Sequence, residues 1–109
     1  MKALVIVIKK RYFDDIQNGI KPEEYRIIKP FWESRLIEKK TGKDKEYDCI
    51  RFIAGHRKNS PEAYYKYEGY ERKEITHEFF GPEPVNVFAI KIGPKVDLIK
   101  SNIIYCSSY

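Results

Sequence analysis

Apolar and polar residues follow two different periods in the first third of the chain. The continuous run of apolar and β-branched residues at 3–9 predicts a central strand. Residues 10–18 place their apolar side chains at helical spacing and predict a first helix, which Gly19 ends. Pro30 fits the first turn of a second helix. We expect that helix to present four apolar side chains inward, namely Phe31, Trp32, Leu36 and Ile37.

Between the two helices, the residues after Gly19 predict a short strand with two chemically different faces. Glu24 and Arg26 are two residues apart and therefore project from one face. Tyr25 and Ile27 project from the other, where we expect Tyr25 to pack against a helix. Glu23 would share the face of Tyr25 and Ile27, so that Glu24 and Arg26 lie together on the other.

The rest of the chain predicts strands joined by turns. These strands are expected at 48–54, 63–70, 71–76, 85–92 and 103–106. A polar loop is expected at 55–61, a hairpin turn around Gly69 and a further turn at 82–84. The sum predicts an α+β fold, with a small mixed sheet curled into a β-barrel and two N-terminal helices packed at the barrel ends. No repeat or linker interrupts residues 1–109, so we expect a single domain.

Composition narrows the class of protein. Charged residues make up 34% of the chain, and the longest apolar run is far too short to span a bilayer, so we expect no membrane association. Three basic residues and no cleavage site follow that run, so a secretion signal is not expected. Cys49 and Cys106 form no CxxC pair, which predicts reduced thiols in a cytoplasmic protein. No nucleotide-binding or hydrolase motif is present, and we expect neither a cofactor nor a metal.

Charge and aromatic content point to the kind of partner. The formal net charge is +5, which favours an anionic partner. Aromatic residues make up 15% of the chain, and its nine Tyr suit both stacking on nucleobases and packing in a β-rich core. Tyr65 and Tyr67 would share one face of their strand and Tyr64 the other, so that one set faces the core.

The stretch GIKPEEYR at 19–26 gathers charges of both signs after the first helix. Arg26 has a planar fork of donors that suits a phosphate or a carboxylate. Glu24 either accepts a hydrogen bond from a base amino group or holds Arg26 in place. Lys21 contacts a phosphate, or acts as a base or nucleophile where it is buried. Ordinary solvated surface pairs are the alternative interpretation of all three side chains.

Four residues of this stretch match a family motif. Gly19, Lys21, Glu24 and Arg26 fit the GxKxxExR pattern of the ASCH family, a branch of the PUA-like superfamily. The segments PFWESRL, DCIRFIAG, HRKNSPE and FGPEPVNVFAIKIG are similar, in the same order, to segments of small phage and bacterial ASCH proteins. The resemblance covers residues 3–93.

This resemblance implies a PUA-like β-barrel with a cleft lined by the motif, and a role in binding RNA or a modified nucleoside. Some family members resemble ribonucleases. Another branch hydrolyses N4-acetylcytidine with a Lys, a Thr three residues later and a distant Glu. Lys21 matches that Lys, whereas Glu24 occupies the Thr position, so the triad is broken at its second member. Glu71, Glu74 and Glu78 are all available as the distant Glu.

Residues outside the motif complete the expected site. Trp32, the only Trp, either stacks on a base beside the cleft or belongs to the core. Arg57 lies in a basic loop that would contact phosphate, and Ser60 is either a turn residue or a further phosphate contact. His56 in the same loop is a candidate general base for RNA cleavage.

An RNA- or nucleoside-binding domain is therefore the first hypothesis. Its expected binding residues are Lys21, Glu24, Arg26, Trp32, Arg57 and Ser60. One alternative is an enzyme in which Lys21 and Glu24 are catalytic, either a metal-independent ribonuclease or an acylated-nucleoside amidohydrolase. A second alternative is an accessory module that binds another protein.

Overall fold

The computed structural model describes residues 2–99 and 102–106. In this part of the chain the elements are β1 Ala3–Ile8, α1 Lys10–Gln17, β2 Glu23–Ile27, α2 Pro30–Leu36, β3 Cys49–Ala54, β4 Glu62–His77, a 3-10 turn at Glu78–Phe80, β5 Gly81–Ile99 and β6 Asn102–Cys106. The α+β class and the two N-terminal helices are confirmed. The helices of this described part are all too short and too polar to cross a membrane.

The strands pair in the order β1-β3-β4-β5-β2, and β6 pairs with β5 off this path. β1 and β3 are parallel, whereas β3 with β4, β2 with β5 and β5 with β6 are antiparallel, so the sheet is mixed as predicted. Among the described residues, β1 and β2 stand at the two ends of this order. Closure into a barrel with helices at its ends is therefore not shown and stays a prediction.

Contacts within the chain group its residues into two compact units, and neither unit is a continuous stretch. Unit 1 takes in the described residues of Met1–Pro22, Tyr47–Glu68 and Ile92–Tyr109. Unit 2 takes in Glu23–Glu46 and Gly69–Lys91. β4 and β5 therefore each contribute residues to both units. The single domain expected from the sequence stays a prediction.

The core of unit 1 follows from the alternation in β1. Leu4 lies opposite Ile50 of β3 and Ile6 lies opposite Phe52, and all four side chains are buried. Tyr65 of β4 is also buried, with its ring centroid 6.0 Å from that of Phe52. The apolar side of α1 is buried as well, and this helix packs against β3.

The core of unit 2 is centred on β5, where four consecutive side chains are completely buried: Val87, Phe88, Ala89 and Ile90. From α2, Leu36 is buried, but Phe31 is 58% exposed, so its predicted inward position is wrong. The reason is helical geometry. Five residues at 3.6 per turn place Phe31 about 140° around the helix from Leu36.

Two turns expected from the sequence are wrong. β4 is one strand of 16 residues, and Gly69 lies inside it with φ +88° instead of forming a hairpin turn. β5 begins at Gly81, so residues 82–84 are strand, and the chain reverses in the 3-10 turn before them. Pro82 and Pro84 fit this strand because they are two residues apart, which places their missing N–H groups on one edge.

Gly69→Ala is expected to lower the free energy of unfolding by about 1–2 kcal/mol. The cause of the loss is backbone strain at φ +88° and not steric overlap, because a Cβ added at Gly69 would meet no atom within 4 Å. Urea unfolding followed by Trp fluorescence measures the change. Glu68→Ala, at the exposed preceding position, is the control and should stay within about 0.5 kcal/mol of wild type. Equal stability of Gly69→Ala and wild type would show that β4 tolerates a side chain there.

Candidate functional site

The motif begins where α1 ends, and its Gly19 has a backbone role. Gly19 has φ +73°, and its N–H donates to the carbonyl of Ile16 at 3.1 Å. The N–H of Ile20 donates to the carbonyl of Asp15 at 2.8 Å. This pair of bonds is a Schellman motif, which needs a left-handed residue at the position of Gly19. The expected helix stop is therefore confirmed.

The other predicted residues of unit 1 lie in two places. Lys21 is half-buried, and its Nζ lies 5.4 Å from the centroid of the Tyr12 ring, in cation–π contact. In the loop after β3, the Arg57 N–H donates to Ser60 Oγ at 2.9 Å and the Ser60 N–H donates to the Arg57 carbonyl at 3.1 Å. Ser60 is thus a turn residue, while the exposed side chains of His56 and Arg57 point to solvent. Phosphate contacts from this loop stay a prediction.

In unit 2, one face of β2 carries an ion pair between a buried glutamate and a half-buried arginine. Glu24 is only 6% exposed, and Arg26 Nη2 donates to its Oε2 at 2.6 Å. A carboxylate at this depth needs a charged donor, because the loss of hydration would otherwise disfavour its ionised form. Of the two roles expected for Glu24, holding Arg26 is the one that this geometry provides.

Aromatic rings and a second arginine from α2 surround this pair. The Arg26 Cζ lies 5.1 Å from the Trp32 ring centroid, and the Arg35 Cζ lies 6.0 Å from the same ring. Arg35 also lies 4.8 Å over the ring of Phe31, which meets Trp32 edge to face at 5.5 Å. We call these five residues, Glu24, Arg26, Phe31, Trp32 and Arg35, the Arg26 cluster.

Two members of the Arg26 cluster were missed by the sequence argument. Phe31 and Arg35 are four residues apart on α2, and side chains at this spacing are neighbours on a helix. The sequence signal that could have identified them is this spacing of four residues, with the only Trp of the chain between them. Trp32 is half-buried, so it lies outside the fully buried core, and Phe31 beside it is largely exposed.

The Arg26 cluster contains two arginines and one glutamate. Both guanidinium groups lie within 6.0 Å of the Trp32 ring centroid, and the carboxylate of Glu24 pairs with that of Arg26. Flat rings interleaved with guanidinium groups suit a ligand that is both planar and anionic.

The opposite face of β2 is a network of its own. Lys73 Nζ lies 3.0 Å from Glu23 Oε1, and the Tyr25 hydroxyl donates to the same carboxylate at 3.2 Å. Burial, and then the Glu23 charge, raises the pKa of the Tyr25 phenol. The predicted separation of Tyr25 from the face of Arg26 is confirmed, and its ring lies 6.3 Å from that of His77. This face therefore balances its charges internally.

Cys49 lies outside the Arg26 cluster. The Cys49 thiol is buried, and this burial, with the nearby Asp48 carboxylate, raises its pKa, which disfavours a reactive thiolate. The side chain of Cys106 lies outside the described residues. Within residues 2–99 and 102–106, no three His, Cys, Asp or Glu side chains are grouped closely enough to hold a metal ion.

Comparison of the chain with protein-family models, with curated proteins and with solved structures finds no match. Membership of the ASCH family therefore stays a prediction based on the motif. The case for a function rests on the geometry of the Arg26 cluster.

Proposed function

We propose that this protein binds RNA or a modified nucleoside through the Arg26 cluster. The observation that carries the proposal is that buried Glu24 holds Arg26 at 2.6 Å while the guanidinium lies over Trp32. A guanidinium that is already oriented loses less conformational freedom when a ligand arrives. The carboxylate therefore prepares the arginine for recognition.

Each part of a nucleotide has a counterpart in the Arg26 cluster. A nucleobase supplies a flat ring for stacking on Phe31 and Trp32, and its acceptor edge suits the donors of Arg26. The guanidinium of Arg35 has a donor geometry that suits a phosphate. In this scheme Glu24 orients Arg26 and does not itself accept from a base amino group.

Features predicted from the sequence belong to the same proposal. Lys21, Arg57 and Ser60 are proposed phosphate contacts, supported by the motif and by the basic loop after β3. The PUA-like barrel, ASCH membership and a cytoplasmic location are supported by the resemblance and by the composition. Catalysis by Lys21 and Glu24, and binding of another protein, are alternatives that the experiment also tests.

Trp32 reports binding directly, because it is the only Trp in the chain. Titration with short single-stranded RNA should quench its fluorescence in a saturable way, and affinity should fall as salt rises because phosphate contacts release counterions. Arg26→Lys keeps the charge but loses the planar fork, and it should weaken binding about tenfold. Phe31→Ala removes a stacking ring and should also weaken binding about tenfold.

Ile20→Ala is the matched control for Phe31→Ala, since Ile20 is the other large apolar side chain found exposed among the described residues and lies outside the cluster. It should bind RNA like wild type. No response to RNA or nucleosides, or unchanged binding by Arg26→Lys and Phe31→Ala, would overturn the proposal. Mass spectrometry of the same samples in chelator tests the enzyme alternatives. If the protein cleaves RNA or releases acetate from N4-acetylcytidine, and Lys21→Ala loses that activity, the protein is an enzyme and not only a binding domain.

A further inference from the structure

A third arginine, Arg72, lies on the same face of unit 2 as Arg26 and is not a member of the Arg26 cluster. Arg72 of β4 has its Cζ 5.3 Å from the Phe88 ring centroid. Phe88 of β5 is the cross-strand partner of Arg26. Directly opposed residues of an antiparallel pair project from the same face. Arg26, Phe88 and Arg72 therefore form a row across β2, β5 and β4.

Arg72 is held in position by its neighbours, as Arg26 is. Its Cζ lies 6.0 Å from the centroid of the Tyr70 ring, and the Tyr70 hydroxyl donates to Asp44 Oδ1 at 2.6 Å. The Tyr70 ring meets the Phe88 ring edge to face at 5.2 Å. Burial, and then the bond to Asp44, raises the pKa of Tyr70, so its hydroxyl keeps its proton at neutral pH. The Glu24 carboxylate thus holds Arg26, and the Asp44 carboxylate holds the Tyr70 ring over which Arg72 lies.

The position of Arg72 leaves it open to a ligand. Its side chain is exposed, and Tyr70 beneath it is half-buried. The guanidinium lies 6.0 Å over the Tyr70 ring as well as over Phe88. The planes of arginine guanidinium groups and of tyrosine rings are both surfaces on which unstacked RNA bases lie.

We infer that Arg72 and Tyr70 form a second nucleotide subsite, and that the ligand is an RNA strand of at least two nucleotides and not a free nucleoside. This inference rests on the proposed function. β5 separates β2 from β4, so the backbones that carry Arg26 and Arg72 are about 10 Å apart at the usual strand spacing. A single base reaches one of these two places. Successive bases of one strand reach both, as on other sheets that bind single-stranded RNA.

The test compares a short single-stranded RNA with nucleoside monophosphates by isothermal titration calorimetry. Arg72→Gln removes the charge and the planar fork from an exposed side chain, so the fold should be kept. It should weaken binding of the RNA about tenfold and leave binding of the monophosphates unchanged. Tyr70→Phe removes the hydroxyl that holds the ring to Asp44, and it should weaken RNA binding by a smaller factor.

Lys73→Gln is the matched control, because it removes the same charge from the next residue of β4, on the opposite face. It should leave RNA binding unchanged. Equal weakening by Lys73→Gln and Arg72→Gln would overturn the subsite, since only overall charge would then matter. Wild-type affinity in Arg72→Gln, together with weak binding in Arg26→Lys, would overturn the subsite and leave the proposed function intact. Failure of wild type to bind RNA and monophosphates would overturn both.

Discussion

Arg26→Ala is expected to lower the free energy of unfolding by about 3 kcal/mol. The substitution takes away the guanidinium that donates at 2.6 Å to Glu24, a side chain that is 6% exposed in the native structure. An ionised group at that depth is costly once its charged donor is removed. Urea unfolding at neutral pH measures the loss.

Arg51→Ala is the matched control for this prediction. Arg51 Nη2 lies 2.7 Å from Glu62 Oε2, nearly the distance of the Arg26 pair, but both side chains are 38% exposed. Solvent screens such a pair, so Arg51→Ala should cost about 0.5 kcal/mol. If the two arginine variants lost equal stability, the burial of Glu24 would not be what makes Arg26 important.

Phe88→Ala is expected to lower the free energy of unfolding by about 3–5 kcal/mol. The Phe88 side chain is 0% exposed, and its loss leaves a cavity beneath Tyr70 and Arg72. The edge-to-face contact with Tyr70 is lost as well. Urea or thermal unfolding followed by circular dichroism measures the change.

Phe31→Ala makes the same chemical change at a ring that is 58% exposed. It should cost about 0.5 kcal/mol, as for most surface substitutions. Comparing the two variants separates burial from the identity of the residue. A loss below about 1 kcal/mol in Phe88→Ala would contradict the close packing of unit 2 around this ring.

Local patterns predicted the elements that depend on local physics. The apolar alternation in β1, the stop at Gly19 and the two faces of β2 all follow from residues a few positions apart. The course of β4 was missed because Gly69 permits a turn without requiring one. Whether a glycine turns the chain depends on the strands that pair on either side of it, and those lie far away in sequence.

In the candidate site, too, some contacts could be predicted from neighbouring residues and others could not. The contact of Glu24 with Arg26 follows from their spacing along one strand. The row from Arg26 through Phe88 to Arg72 depends on which residues of three strands lie opposite one another. Such register is fixed by packing across the sheet and by the turn at its end, so it could not be predicted from the sequence alone.

The interleaving of the two units sets an order of events during synthesis. Unit 1 starts at the N-terminus, but its last segment starts only at Ile92. Unit 2 has all of its residues once Lys91 has left the ribosome exit tunnel. Because folding during translation waits for the residues that complete a cooperative unit, the one that starts second along the chain is the first able to finish. The arginine-bearing face would therefore have all of its residues on the nascent chain before the last segment of unit 1 has been made.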